Sequence, residues 1–183
     1  MPNDSVTLSH GGYRELKSFQ ATTIIYDLTN QFCKKYVDSY SRTTDQMIQA
    51  ARSGRQNIAE GSQAAATSKK SELKLVNVAR ASLEELLLDY EDFLRQNNLS
   101  LWAKDDSRAI KIRSLAYQKN RSHKTYLSYL EKPESAANCL VCLIHQANYL
   151  LDQQIKSIEK EFLDKGGFSE NLYRKRVNAR KKR

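Results

Sequence analysis

Between Met47 and Leu94 the sequence places helix-spaced apolar residues on both sides of one short polar break, a pattern that few folds accommodate. The first arm is MIQAARSGRQNIAEG, the break AAATSKKS, and the second arm ELKLVNVARASLEELLLDYEDFL. Gly61 weakens the first helix, and Thr67 or Ser68 can cap the second by accepting a bond from its free amides. The expected product is an antiparallel helical hairpin. Its second arm is charged against its own dipole, with Lys69, Lys70 and Lys74 at the start and Glu84, Glu85, Asp89, Glu91 and Asp92 at the end. A helix macrodipole favours the reverse by about 0.3–1 kcal/mol per charge. A positive helix start with free N–H groups suits a phosphate; a solvated charged face is the alternative.

The rest of the chain extends the same pattern. With 6 glycines and 2 prolines in 183 residues there is little material for turns, and the plentiful Ala, Leu, Glu, Lys, Gln and Arg favour an all-α fold. The length suits one domain with a full core. No apolar run approaches the roughly 20 residues of a membrane span, and the first residues lack a signal-peptide pattern, so a cytoplasmic protein is expected. Cys33, Cys139 and Cys142 lie in apolar patterns and read as reduced, buried residues.

The formal charge of +9 is unevenly distributed. Residues 1–97 hold 12 cations and 12 anions, residues 98–164 hold 10 and 8, and residues 165–183 hold 8 and 1. The excess is therefore mostly a C-terminal tail, containing Arg174, Lys175, Arg176, Arg180, Lys181, Lys182 and Arg183. A weaker local excess runs from Arg108 to Lys132.

In chain order, residues 1–16 read as a flexible leader. A helix from about Lys17 to Tyr40 follows, with Ile25, Leu28, Phe32 and Tyr36 as its core stripe. Ser41 to Asp45 supplies caps for the next helix, on which Ile48, Ala51, Arg55, Ile58 and Ser62 share a face while Ala50, Gly54 and Ala59 allow close approach. The helix from Lys69 to about Gln96 has two apolar seams. Leu73, Val76, Leu83, Leu87, Tyr90 and Leu94 form one; Leu75, Ala79, Leu86 and Phe93 form the other. The second seam fits either a wide core or a neighbouring subunit. Trp102 anchors the following link. Residues 105–130 read as a suffix helix whose cations and Tyr126 and Tyr129 either face nucleic acid or cover the core. Pro133 opens the last long helix, to Lys165, with Leu140, Ile144, Ala147, Leu151, Ile155, Ile158 and Phe162 as its stripe. Gly166-Gly167 ends it, and 166–183 form the basic tail.

Catalytic signals are missing. There is no phosphate-cradling glycine loop, His-Glu-x-x-His or glycine-flanked serine. Cys139-x-x-Cys142-x-x-His145 has zinc-binding residue types, but on a helix position 145 lies about 600° from 139, and no fourth ligand is evident. The expectation is a non-enzymatic protein without a metal or other cofactor.

Asn57-Ile58-Ala59-Glu60-Gly61, then Ser68 and Glu72, then Ala79-x-x-Ser82-x-x-Glu85-Leu86 resemble the four-helix-bundle proteins encoded in intervening sequences of bacterial large-subunit ribosomal RNA genes. The resemblance is good from about Lys17 to Gln96. LWAKDDSRA and PESAANCLVCLIHQANYLLDQQI are similar to the branch with a C-terminal helical suffix. Where the family often carries Val-Pro before Asn57, this chain has Arg55-Gln56. The resemblance implies a left-handed up-down bundle that associates as a ring, typically a homopentamer. It extends to the accessory protein of diversity-generating retroelements, which binds a reverse transcriptase and nucleic acid through a basic surface. Arg52, Arg55, Lys69, Lys70 and Lys74 become candidate contacts to RNA or DNA, with the tail cations beside them.

Two functions are expected from this reading. One is an oligomer that binds structured RNA through its phosphates, with weak contacts multiplied by symmetry. The other is a protein-interaction scaffold, such as the partner of a polymerase-type enzyme.

Overall fold

The structure, a computed structural model, describes residues 12–118, 120–166 and 168–181, and the regular structure among them is entirely helical. The α-helices are α1 (Lys17–Tyr36), α2 (Arg42–Ala64), α3 (Lys69–Gln96), α4 (Ser107–Ser114), α5 (Pro133–Lys165) and α6 (Phe168–Lys181). Short 3-10 helices cover Gly12–Glu15, Leu115–Tyr117 and His123–Glu131.

Helices α1, α2, α3 and α5 form a four-helix bundle in which each packs on two neighbours, in the cyclic order α1, α2, α3, α5. Its up-down sense follows from paired residues. Ser53 meets Ser82 while Gly61 faces Val76, so α2 and α3 are antiparallel. Lys69 meets Glu161 and Arg80 meets Asp152, so α3 and α5 are antiparallel too. Ser18 on α1 donates to Gln154 on α5 at 2.8 Å.

The caps expected from the sequence are present. The Ser41 hydroxyl accepts from the Thr43 amide at 3.2 Å, and the Ser68 hydroxyl from the Ser71 amide at 3.1 Å. Asn98, with φ of 53°, ends α3, and the Leu99 amide returns to the Leu94 carbonyl at 2.9 Å. Gly61 does not end α2, which runs on to Ala64; it is buried against the backbone of Glu72 instead. Helix α1 stops at Tyr36, four residues short of the expected end, and Tyr40 is 96% exposed. A helix continued through Tyr40 would gain no buried face there.

Both seams of α3 contribute to one core, with Leu73, Leu75 and Phe93 left half-buried. Val76, Ala79, Leu83, Leu86, Leu87, Tyr90 and Leu94 are all buried within the chain, which favours the wide core over a subunit seam. Only Val78 and Leu88 leave large apolar side chains exposed on this helix. On α1, Ile25, Leu28 and Phe32 are fully buried, as their spacing predicts.

Residues 105–130 are not one helix. They divide into α4, a 3-10 turn and the 3-10 helix His123–Glu131, because apolar residues are too sparse to hold a continuous stripe. Ala109, Ile112, Tyr126 and Leu130 are nonetheless buried. They cover the outer side of α5, whose residues 136–144 are buried all the way round. Trp102 locks the link that leads to this layer. Its amide donates to the Asn138 side chain at 2.7 Å and its indole N–H to Glu134 at 2.9 Å.

Of the expected leader, residues 1–11 lie outside the described residues. Gly12–Glu15 is already structured, with the Tyr13 ring edge-on to Phe19 at 4.8 Å. The tail beyond Gly166 carries a helix, α6. No described helix is long and apolar enough to cross a membrane.

Candidate nucleic-acid interface

The α2–α3 corner divides its lysines by role. Lys69 Nζ sits between Glu72 Oε2 at 3.0 Å and Glu161 Oε2 at 2.9 Å. Partial burial pulls its pKa down, but the hydrogen bonds and charges of Glu161 and Glu72 outweigh this and hold it above the ordinary lysine range. Glu72 is itself 8% exposed. Lys69 is thus a tie from α3 to α5, with its charge already matched. Lys70 and Lys74, four residues apart and exposed, have no ion-pair partner among the described residues.

Arg52 and Arg55 are elsewhere. They precede the end of α2 by 12 and 9 residues, or about 18 and 14 Å along the axis. Arg52 is exposed, whereas the Arg55 guanidinium lies 4.6 Å from the centre of the Tyr26 ring, half-buried between α1 and α2. The five cations grouped from the sequence therefore do not make one patch.

The tail does approach the corner. Glu161 is beside Lys69, and Gly166 follows five residues later, so α6 departs from the end of the bundle where α3 begins. Arg174, Lys175, Arg176 and Arg180 are exposed on α6. Lys181 is its last residue, while Lys182 and Arg183 lie outside the described residues. Two further exposed lysines, Lys156 and Lys160, stand one turn apart on the same end of α5. The sequence signal for them was their i, i+4 spacing outside the apolar stripe.

Two arginines of the suffix, Arg108 and Arg113, are engaged locally. Arg108 holds Asp106 at 2.7 Å and Glu134 at 3.5 Å, with its guanidinium 4.1 Å from the Trp102 ring centre. The Arg108 hydrogen bonds hold the Asp106 carboxyl at about 2. Arg113 donates to the Lys104 carbonyl. Tyr126 is fully buried, so its ring is not available for base stacking.

A polar groove of about 720 Å³ runs between α2 and α3 towards the other end of the bundle. Asp45, Glu85 and Asp89 line it with Arg42, and its wall contains the Ser53–Ser82 hydroxyl pair at 2.9 Å. Asn57 donates to the Ser53 carbonyl and hydroxyl, so the motif residues Asn57 and Ser82 belong to one inter-helix network. Partial burial, then the charges of Asp92 and Glu85, hold the Asp89 carboxyl above its ordinary range.

Cys139 and Cys142 are buried whereas His145 is exposed, which separates the three as ligands. Burial, with Cys142 adding to it, raises the Cys139 thiol pKa far above neutrality. Among the described residues no three His, Cys, Asp or Glu side chains converge on a metal position.

No curated protein and no solved structure matches the chain at a significant level. Residues 16–111, which run from the residue before α1 through the bundle's first three helices into α4, match the 23S rRNA-intervening sequence protein family. That match covers just over half of the chain, which therefore belongs to the 23S rRNA-intervening sequence protein family.

Proposed function

We propose that this protein is a non-enzymatic, self-associating nucleic-acid-binding protein of the cytoplasm that holds structured RNA by its phosphates. The observation that carries the reading is the shared end of the bundle, where exposed Lys70 and Lys74 stand near the departure of the cationic helix α6. These groups are separated by about a hundred residues in sequence. Exposed amines and guanidiniums without a reading element in a groove suit backbone contacts more than base recognition. The family description, which refers to 23S rRNA, is in keeping with an RNA partner. Self-association would repeat Lys70 and Lys74 on each copy and add their contacts as avidity.

The scaffold reading, with a polymerase-type partner, has less to stand on because Ala79 and Leu86 of the second α3 seam are buried in the chain itself, which leaves only Leu75 and Phe93 half-buried. Salt-dependent binding of structured RNA tests the main reading. Lys70→Glu with Lys74→Glu is expected to weaken binding and flatten the slope of log K against log salt by about 0.7–0.9 for each phosphate that is no longer neutralised. Affinity that stays constant between about 50 and 200 mM salt would sink the phosphate mechanism.

A further inference from the structure

The groove between α2 and α3 has an unmatched charge. Asp45, Glu85 and Asp89 face Arg42 alone, and none of the three carboxylates has an ion-pair partner among the described residues. The Ser53–Ser82 hydroxyls bond each other, and the carboxylates are the groove's anionic acceptors. Helix α6 has the opposite excess, with Arg174, Lys175, Arg176 and Arg180 exposed along less than two turns.

We propose that the groove between α2 and α3 receives the cationic helix α6 of a second copy of this chain. The inference rests on the self-association proposed above and not on its RNA contact. Reach argues for the second copy over the chain's own tail. Lys69 marks the α3 level of Glu161, and Asp89 lies twenty residues further along α3. Measured from Gly166, that is about 37 Å along the bundle. Helix α6, with 14 residues, spans about 21 Å, and the one residue between adds at most about 4 Å. Folded back on its own bundle, α6 leaves its Arg180 about 13 Å short of Asp89. Asp45 stands beside Asp89 in the groove and is equally out of reach.

A tail in a neighbour's groove is a head-to-tail contact, so each copy both gives and receives, and the chain of contacts can close as a ring. The α6 cations then have two anionic partners, the groove and RNA phosphate. RNA that takes the tail weakens assembly, and assembly leaves Lys70 and Lys74 as the phosphate surface, a reciprocal linkage.

The test uses light scattering and sedimentation on the nuclease-treated full chain. One variant neutralises the groove (Asp45→Asn, Glu85→Gln, Asp89→Asn) and another the tail (Arg174→Gln, Arg176→Gln, Arg180→Gln). Circular dichroism and melting confirm that both are folded. Wild type is expected to assemble, and each variant to associate about tenfold more weakly or worse. Mixed together, the two variants should form a one-to-one dimer and nothing larger, because only one intact groove and one intact tail remain. A wild-type chain that is monomeric at every concentration overturns the self-association reading and this contact with it. Variants that assemble as wild type does leave self-association standing and overturn the tail-in-groove contact alone. Folded variants that stay monomeric on mixing overturn the head-to-tail arrangement. A monomeric wild type whose α6 amides lose exchange protection in the groove variant would show that the chain's own tail is the occupant.

Discussion

The Tyr90 hydroxyl donates to the Thr29 hydroxyl at 2.9 Å across the centre of the bundle, and both residues are fully buried. This bond joins α1 to α3, which lie diagonally opposite and run parallel. The Tyr90 ring packs edge-on to Phe32 at 5.0 Å, and Phe32 in turn meets Phe93 at 4.8 Å. The hydroxyl pair therefore sets the rotation of two helices that otherwise meet only through apolar surfaces.

Tyr90→Phe keeps the ring and removes the bond. A buried neutral hydrogen bond contributes about 0.5–1.5 kcal/mol net, so the stability from urea unfolding should fall by that amount with an unchanged slope. Thr29→Val should cost a similar amount, and the double variant less than the sum of the two. Full additivity would mean that the hydroxyls do not act as a pair.

Gly54 and Gly61, both buried on α2, should respond oppositely to alanine. A Cβ at Gly54 would stand 2.9 Å from Leu83 Cδ2 and 3.1 Å from its Cγ, with Leu83 fully enclosed. At Gly61 the nearest atoms, Glu72 O and Leu75 Cβ, are at an ordinary 3.4 Å. Alanine gains about 1 kcal/mol over glycine within a helix, whereas overpacking costs about 1–3 kcal/mol. Gly61→Ala is expected to stabilise by up to about 1 kcal/mol and Gly54→Ala to lose up to about 2 kcal/mol. Equal melting temperatures would show that Leu83 moves aside freely.

Much of this architecture is legible in the sequence because it depends on period. Ile25, Leu28 and Phe32, the Leu140 to Ile158 stripe, and the Ser41 and Ser68 caps are local patterns that the bundle simply uses. The layer over α5 was signalled less directly. Cys139, Val141, Cys142 and Leu143 make that helix apolar beyond its stripe, and such a helix has to be covered on every side. The role of Lys69 had no local signal at all. Its partner Glu161 is far away in sequence, and only the antiparallel register of α3 and α5 brings them together. The family resemblance groups Arg52 and Arg55 with the corner lysines, but they stand about 14–18 Å along α2 from the corner.

Asn138 closes the link between α3 and α4, and replacing it should loosen the outer layer before the bundle. It is buried; its oxygen accepts from the Trp102 amide at 2.7 Å, and its amide donates to the Ser100 carbonyl at 2.8 Å and the Glu134 carbonyl at 2.9 Å. Asn138→Ala removes the partners of a backbone donor and a backbone acceptor in the link, at about 1–3 kcal/mol for each one left unsatisfied. Hydrogen exchange should rise first at residues 100–112, with Trp102 fluorescence shifting to the red. Protection unchanged in that segment would mean that Glu134 and Arg108 hold Trp102 without the asparagine.

Asp89 offers a signed pH test. Partial burial, then Asp92 and Glu85, hold its folded-state pKa above the ordinary value of 3.8, so the fold disfavours the carboxylate. The penalty is complete above the raised pKa and vanishes below about 3.8, where the group is protonated whether folded or not. Asp89→Asn should therefore stabilise the dilute protein at pH 7 and leave it nearly unchanged at pH 3. Asp89 is half-buried, so screening by solvent limits the gain to a few tenths of a kcal/mol, up to about 1. Urea midpoints of wild type and variant at the two pH values give the comparison. Destabilisation at pH 7 would reveal a cation already seated against Asp89, and the groove would then lack the unmatched charge that the tail of a second copy is proposed to meet.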